Sequence, residues 1–80
     1  MHIQIYSNLG CSQCLSADRV AKEVIRDPQH TYDKFMLNED FTVDQLLEKF
    51  PKAKTFPQIT IDGIHIGGYS EFFKKMYPYS

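Results

Sequence analysis

The apolar pattern in the first half of the chain changes period twice, and this restricts the fold more than any other feature. Residues 2–6 carry isoleucines two apart, Ile3 and Ile5, the spacing of a strand with one buried face. A turn-rich stretch, Ser7-Asn8-Leu9-Gly10, follows. Residues 11–26 then set Cys14, Ala17, Val20, Ala21, Val24 and Ile25 on a single helical stripe, and Pro28 forbids its continuation. Residues 31–37 read as a second strand. Strand, helix and strand in this order imply a parallel pair joined by a right-handed crossover.

The second half adds a shorter helix and a hairpin. Thr42 and Gln45 have the capping-box spacing, and Val43, Leu46, Leu47 and Phe50 behind them form an amphipathic helix that stops at Pro51. Residues 58–62 are rich in β-branched side chains, and Asp62-Gly63 is a type I′ hairpin signal, so residues 64–66 return antiparallel. Gly67-Gly68 breaks the strand, and Ser70 is placed to cap a last helix. That helix carries Phe72, Phe73, Met76 and Tyr77 on one stripe, with Lys74 and Lys75 at its C-terminal end, where the dipole favours them. Phe72 and Phe73 are core by type, whereas Tyr77 and Tyr79 can lie outside it. The order βαβαββα gives an α/β chain with a four-stranded mixed sheet flanked by three helices, the thioredoxin-like plan. Eighty residues allow one domain, 1–80, with one modest core.

Several function classes are disfavoured. A formal net charge of -1 leaves no basic excess for nucleic acid. No stretch approaches the roughly 18 apolar residues of a membrane span. The start, Met1-His2-Ile3-Gln4, lacks the layout of a secretory signal, so a cytoplasmic protein is expected. A stable structural disulfide is disfavoured in that compartment. Cys11 and Cys14, the only cysteines, therefore call for another purpose.

Cys11-Ser12-Gln13-Cys14 follows a strand and a loop and opens a helix. Unpaired N–H groups and the positive end of the helix dipole there favour thiolate over thiol. Cysteines so placed titrate at roughly 3.5–7.5 rather than about 8.5. Cys14, three residues on, begins the apolar stripe and is the less ionised of the two. Cys11 is thus the attacking sulfur and Cys14 the resolving one. Zinc would need two further ligands; His2, His30 and His65 do not stand at the usual spacing, so no metal is expected and the histidines read as structural. A purely structural disulfide over so short a loop would stabilise little.

Two further segments bear on the site. Thr55-Phe56-Pro57-Gln58 opens the third strand. If Phe56–Pro57 is cis, Phe56 can turn its backbone polar groups outward beside Cys11, where a substrate backbone can pair with them; the alternative is that Pro57 merely starts an edge strand. At Gly67-Gly68-Tyr69-Ser70 the N–H groups of a helix start can bind a carboxylate, helped by the Ser70 hydroxyl, or can simply be capped.

Taken together, Gly10-Cys11-x-x-Cys14, Thr55-Phe56-Pro57-Gln58-Ile59 and His65-Ile66-Gly67-Gly68-Tyr69-Ser70-Glu71-Phe72 resemble the glutaredoxins, and closely the short dithiol glutaredoxins of bacteria and their phages. The resemblance spans essentially the whole chain. It implies glutathione as reductant with no tightly bound cofactor, Cys11 as nucleophile and Cys14 as resolving thiol. It also implies a cis-proline at Pro57 with Phe56 pairing the glutathione cysteine, and a γ-glutamyl carboxylate held at Gly68, Tyr69 and Ser70. Thr55 belongs to the same groove, and Lys49, with Lys52 and Lys54, is placed to meet a carboxylate. Partners implied are glutathione and disulfide-bearing proteins, ribonucleotide reductase among them, for a monomeric enzyme. Ser12 and Gln13 replace the family's usual Pro and Tyr, and Asn8 stands where a basic residue is frequent. Ser12 supplies an N–H near the thiolate that proline lacks, which is expected to lower the Cys11 pKa, while Gln13 takes the place of an aromatic wall of the groove. Gln13 also fits redoxins recharged by thioredoxin reductase, and Ser12 fits glutaredoxins that carry an iron–sulfur cluster as glutathione-ligated dimers.

Overall fold

The computed structural model describes residues 1–78, and Tyr79 lies outside the described residues. Strand β1 (His2–Ser7) leads through helix α1 (Ser12–Val24) to β2 (Thr31–Met36). Helix α2 (Val43–Lys49), the hairpin β3 (Gln58–Ile61) and β4 (Ile64–Gly67), and helix α3 (Tyr69–Met76) complete the order. The sheet runs β2-β1-β3-β4, with β1 parallel to β2 and antiparallel to β3, and β3 antiparallel to β4. This is the expected α/β architecture.

Alternation along β1 buries Ile3, Ile5 and Ser7 on one face. Ile3 and Ile5 lie opposite Ile61 and Ile59 of β3 and pack with Ala17, Val20 and Ala21 of α1 and Phe72 of α3. Helices α1 and α3 therefore cover one face of the sheet. The other face carries a smaller aromatic core, in which Phe41, Leu46 and Phe50 pack against Tyr6, Phe35 and Phe56. Complete burial of a side chain such as Phe72 or Ile5 stabilises the fold by roughly 1.5–3 kcal/mol.

Helix α2 begins with the expected box: the Gln45 N–H donates to Thr42 Oγ1, and the Thr42 N–H donates to Gln45 Oε1. Only Leu46 and the C-cap Phe50 of its expected apolar side turn inward; Val43 and Leu47 are exposed, because a helix this short meets the aromatic core along one edge. Asp62 and Gly63 both have positive φ, 53° and 81°, as a type I′ turn requires. Helix α1 is shorter at each end than the sequence suggests: Cys11 is its N-cap and Ile25 its C-cap.

Two sequence assignments change. Ser7 belongs to β1 rather than to the loop, since its carbonyl accepts the Leu37 N–H at 2.9 Å and extends the β1–β2 pairing. Ser70 does not cap α3: the chain turns at Gly67 (φ 115°), Gly68 is the N-cap, and Ser70 sits exposed inside the first turn. The sequence rule looks for a side-chain oxygen, whereas the turn here is set by glycine.

Asp18 is buried in the α1 stripe, 8% exposed. It accepts from the Tyr32 hydroxyl at 2.7 Å, which fastens α1 to β2, and pairs within α1 with Lys22 at 3.0 Å. Burial pushes its carboxyl up, but Tyr32 and Lys22 outweigh this and hold it below the usual carboxylate value; burial and the Asp18 charge push the Tyr32 phenol up.

Candidate active site

Three backbone turns converge at the C-terminal end of β1. The β1–α1 loop brings Cys11 to the N-cap of α1, and Cys14 stands at the third helical position, 5% exposed. The two are joined as a disulfide. The Cys14 N–H donates to Cys11 Sγ at 3.1 Å, so the sulfur takes the place that a Ser, Thr or Asp oxygen holds in an ordinary cap. In the reduced protein the same bond and the helix dipole favour a thiolate at Cys11. The N–H that meets the sulfur is thus that of Cys14 rather than that of Ser12.

The second turn precedes β3. The Phe56–Pro57 peptide is cis, and the Phe56 carbonyl oxygen lies 3.7 Å from Cys11 Sγ. Gln58, buried at the start of β3, organises this turn: its Nε2 donates to the Thr55 carbonyl at 2.7 Å, and its Oε1 meets His65 Nε2 at 2.7 Å. His65 in turn stacks on Phe50, ring centroids 4.2 Å apart. The third turn enters α3. A Cβ on Gly68 would stand 3.4 Å from the Pro57 carbonyl, so this turn lies alongside the second. No side chain caps the first N–H groups of α3.

Cavities separate the sequence candidates into groups. Lys49, Lys52, Lys54, Thr55 and Gly68 line one groove of about 480 Å³, with Gln58, His65 and Glu71. Glu71 folds back over Gly67, where a Cβ would meet its carboxylate carbon at 3.1 Å. Lys49 also stands 5.8 Å from the centre of the Tyr6 ring. Cys11 and Cys14 line a different and smaller cavity, about 150 Å³, with Ser7 and Lys34. Tyr69 and Ser70 border a third depression with Phe73 and Lys74. Gln13 is exposed on the first turn of α1. The groove and the sulfurs are neighbours through one turn: Thr55 lines the groove, and the carbonyl of the next residue, Phe56, lies 3.7 Å from Cys11 Sγ. The sulfurs do not line the 480 Å³ groove, so it is the chemistry and not that groove which locates the site.

Sequence reasoning did not single out Gln58, Glu71 or Asp18 as site or network residues. A buried polar residue among β-branched neighbours at Gln58, and a carboxylate four residues before Lys22 inside an apolar stripe at Asp18, were the available signals. Among the described residues no cluster of His, Cys, Asp and Glu has the make-up of a metal site, and no helix is long and apolar enough to cross a membrane.

No protein-family model matches the chain. It is 34% identical over 76 residues to glutaredoxin 1 of Escherichia coli K12, covering 90% of this chain and 88% of that protein. Glutaredoxin 1 of Rickettsia bellii is 33% identical over 75 residues, covering 89% of this chain and 72% of its own. The solution structure of oxidised Escherichia coli glutaredoxin superimposes with a TM-score of 0.81 at 29% identity, covering 99% of this chain and 96% of that one. Glutaredoxin 1 of Francisella tularensis, at 23% identity, shares the fold with a TM-score of 0.67, covering 96% of this chain and 91% of that one. Similarity of this extent, in sequence and in fold, makes the chain a member of the glutaredoxin family and a thiol–disulfide oxidoreductase.

Proposed function

We propose that the protein uses glutathione to reduce protein disulfides and glutathione mixed disulfides, through a nucleophilic Cys11 and a resolving Cys14. The observation that carries this reading is the sulfur cap: the more accessible sulfur accepts a helix-start N–H, while its partner is buried behind it. The Cys11 thiolate attacks one sulfur of a substrate disulfide, the S–S bond breaks, and the first substrate thiolate leaves and takes up a proton. Cys14, having lost its proton, then attacks Cys11 Sγ; the second substrate thiolate leaves, and the Cys11–Cys14 disulfide remains. Two glutathione thiols return two electrons to that disulfide and are themselves joined as glutathione disulfide.

The groove reading is supported by proximity. Phe56 beside Cys11 offers a backbone edge to the glutathione cysteine. The uncapped start of α3 at Gly68, Tyr69 and Ser70 suits a carboxylate. Lys49, Lys52 and Lys54, beside Thr55, offer cations to a second one. Pro57 holds the turn against Gly68, and Gln13 borders the approach to Cys11. In this reading the chain works as a monomeric single domain in the cytoplasm, and ribonucleotide reductase is a candidate electron acceptor.

Turnover of a small disulfide with glutathione, glutathione reductase and NADPH tests the proposal. Steady NADPH consumption is expected; its absence, with turnover restored by thioredoxin reductase, would replace glutathione with that enzyme as the electron source. Cys14→Ser should retain reduction of a glutathione mixed disulfide and lose reduction of a protein disulfide.

A further inference from the structure

Among the described residues, Ser7 Oγ is the only buried side-chain oxygen or nitrogen without a hydrogen-bond partner. The residue is 2% exposed. Its carbonyl accepts the Leu37 N–H, whereas its hydroxyl is left over. Natural folds pair buried hydroxyls, and an unpaired one calls for a reason. Here position supplies it. Ser7 is the last inward residue of β1 after Ile3 and Ile5, and it lines the small cavity that Cys11 and Cys14 also line. In the disulfide form described here neither sulfur carries a charge, and the Ser7 hydroxyl bonds to neither. Once the disulfide opens, Cys14 must become a thiolate almost out of contact with water, and a buried thiolate needs a donor.

We propose that Ser7 is a positioning residue for the second chemical step, its hydroxyl donating a hydrogen bond to the Cys14 thiolate that attacks Cys11. In the disulfide form the hydroxyl makes no hydrogen bond to either sulfur; the charged acceptor arises only in the reduced and mixed-disulfide states. Cys14 gives its proton to solvent, attacks Cys11 Sγ and displaces the substrate thiolate, which is protonated in turn; Ser7 keeps its own proton throughout. The charged groups around this sulfur are Lys34 of β2, which lines the same cavity, and Asp18 one turn further along α1, which is engaged by Tyr32 and Lys22. Cys11 is uncharged during this step, being held in the mixed disulfide. The inference rests on Cys14 being the resolving thiol.

A symmetrical nitrothiobenzoate disulfide separates the steps, because one coloured thiolate leaves when Cys11 attacks and the second when Cys14 displaces it. The pH–rate profile of the second release reports Cys14. Ser7→Ala is expected to move its midpoint up by about one unit, the loss of one hydrogen bond to a charge. A less stabilised thiolate is more nucleophilic, so the rate below the midpoint should fall only about threefold while the plateau at high pH rises. The first release should be unchanged, and Ser7→Thr should restore the profile. A lower rate at every pH with an unmoved midpoint marks a merely structural role and overturns the proposal. Superimposed profiles overturn it as well. Cys14→Ser decides the underlying assignment separately: if it still releases the second thiolate at the wild-type rate, both Cys14 as resolver and Ser7 as its support fall.

Discussion

The starts of α1 and α3 face the same site and are finished in opposite ways. At α1 the cap is a side chain, and that side chain is the proposed nucleophile: Cys11 Sγ accepts the Cys14 N–H. At α3 the cap is Gly68, which has no side chain, and the first N–H groups are left open. Helix α2 has the ordinary Thr42 and Gln45 box on both sides. A helix start that serves only stability is closed by a side-chain oxygen; one that serves chemistry is closed by the reacting atom, and one suited to a ligand stays open. The contrast teaches that the capping rule fails at Cys11 and at Gly68, the two helix starts to which the proposed function assigns roles.

Substitutions can break this contrast. The largest effect is expected from Cys11→Ser, which keeps an excellent cap and removes the nucleophile: exchange should fall to background while the melting temperature holds, and a stable protein with residual turnover would detach capping from catalysis. Gly68→Asp closes α3 with its own carboxylate. It should raise the KM for glutathione about tenfold, the loss of one charge-assisted hydrogen bond, with Cys11 alkylation unchanged; an unaltered KM would place the glutathione carboxylate elsewhere.

Asp18→Asn touches neither start and should cost about 1–3 kcal/mol by denaturant unfolding near neutral pH. The Asp18 carboxyl titrates below its ordinary value of 3.8 in the folded protein, so its contribution is fully present above that value and is lost as pH falls through the lowered one. Tyr32 is displaced upward, so its share holds below its ordinary value of 10.0 and is lost as pH rises beyond it. The wild-type advantage over Asp18→Asn should accordingly vanish in acid; an advantage that persists there would show that the charge is not its source. Thr42→Ala should cost only about 1 kcal/mol and leave exchange rates alone, because that cap is structural.

The legible parts of the sequence were those whose physics is local. The stripe from Cys14 to Ala21, the Thr42 box and the Asp62-Gly63 turn each depend on neighbours a few residues away, and each is present as read. The Cys11–Cys14 pair was legible because spacing alone puts both sulfurs on one helical turn. Asp18 and Gln58 were not, since what makes each important is a partner on another element, Tyr32 on β2 and His65 on β4; nor was Ser7, which shares the sulfur cavity with residues of another element. Ser70 misled because the rule that names capping residues does not say when glycine will set the turn first. Val43 and Leu47 misled because periodicity shows an apolar stripe without showing how much of it the core can reach.

The central claim is that the start of α1 makes Cys11 the thiolate. Alkylation of the reduced protein across a pH series, with the modified sulfur identified by mass spectrometry, tests it directly. Cys11 should be alkylated before Cys14, with a midpoint well below the roughly 8.5 of a free cysteine. Alkylation of Cys14 first, or a Cys11 midpoint at or above the free value, would contradict it.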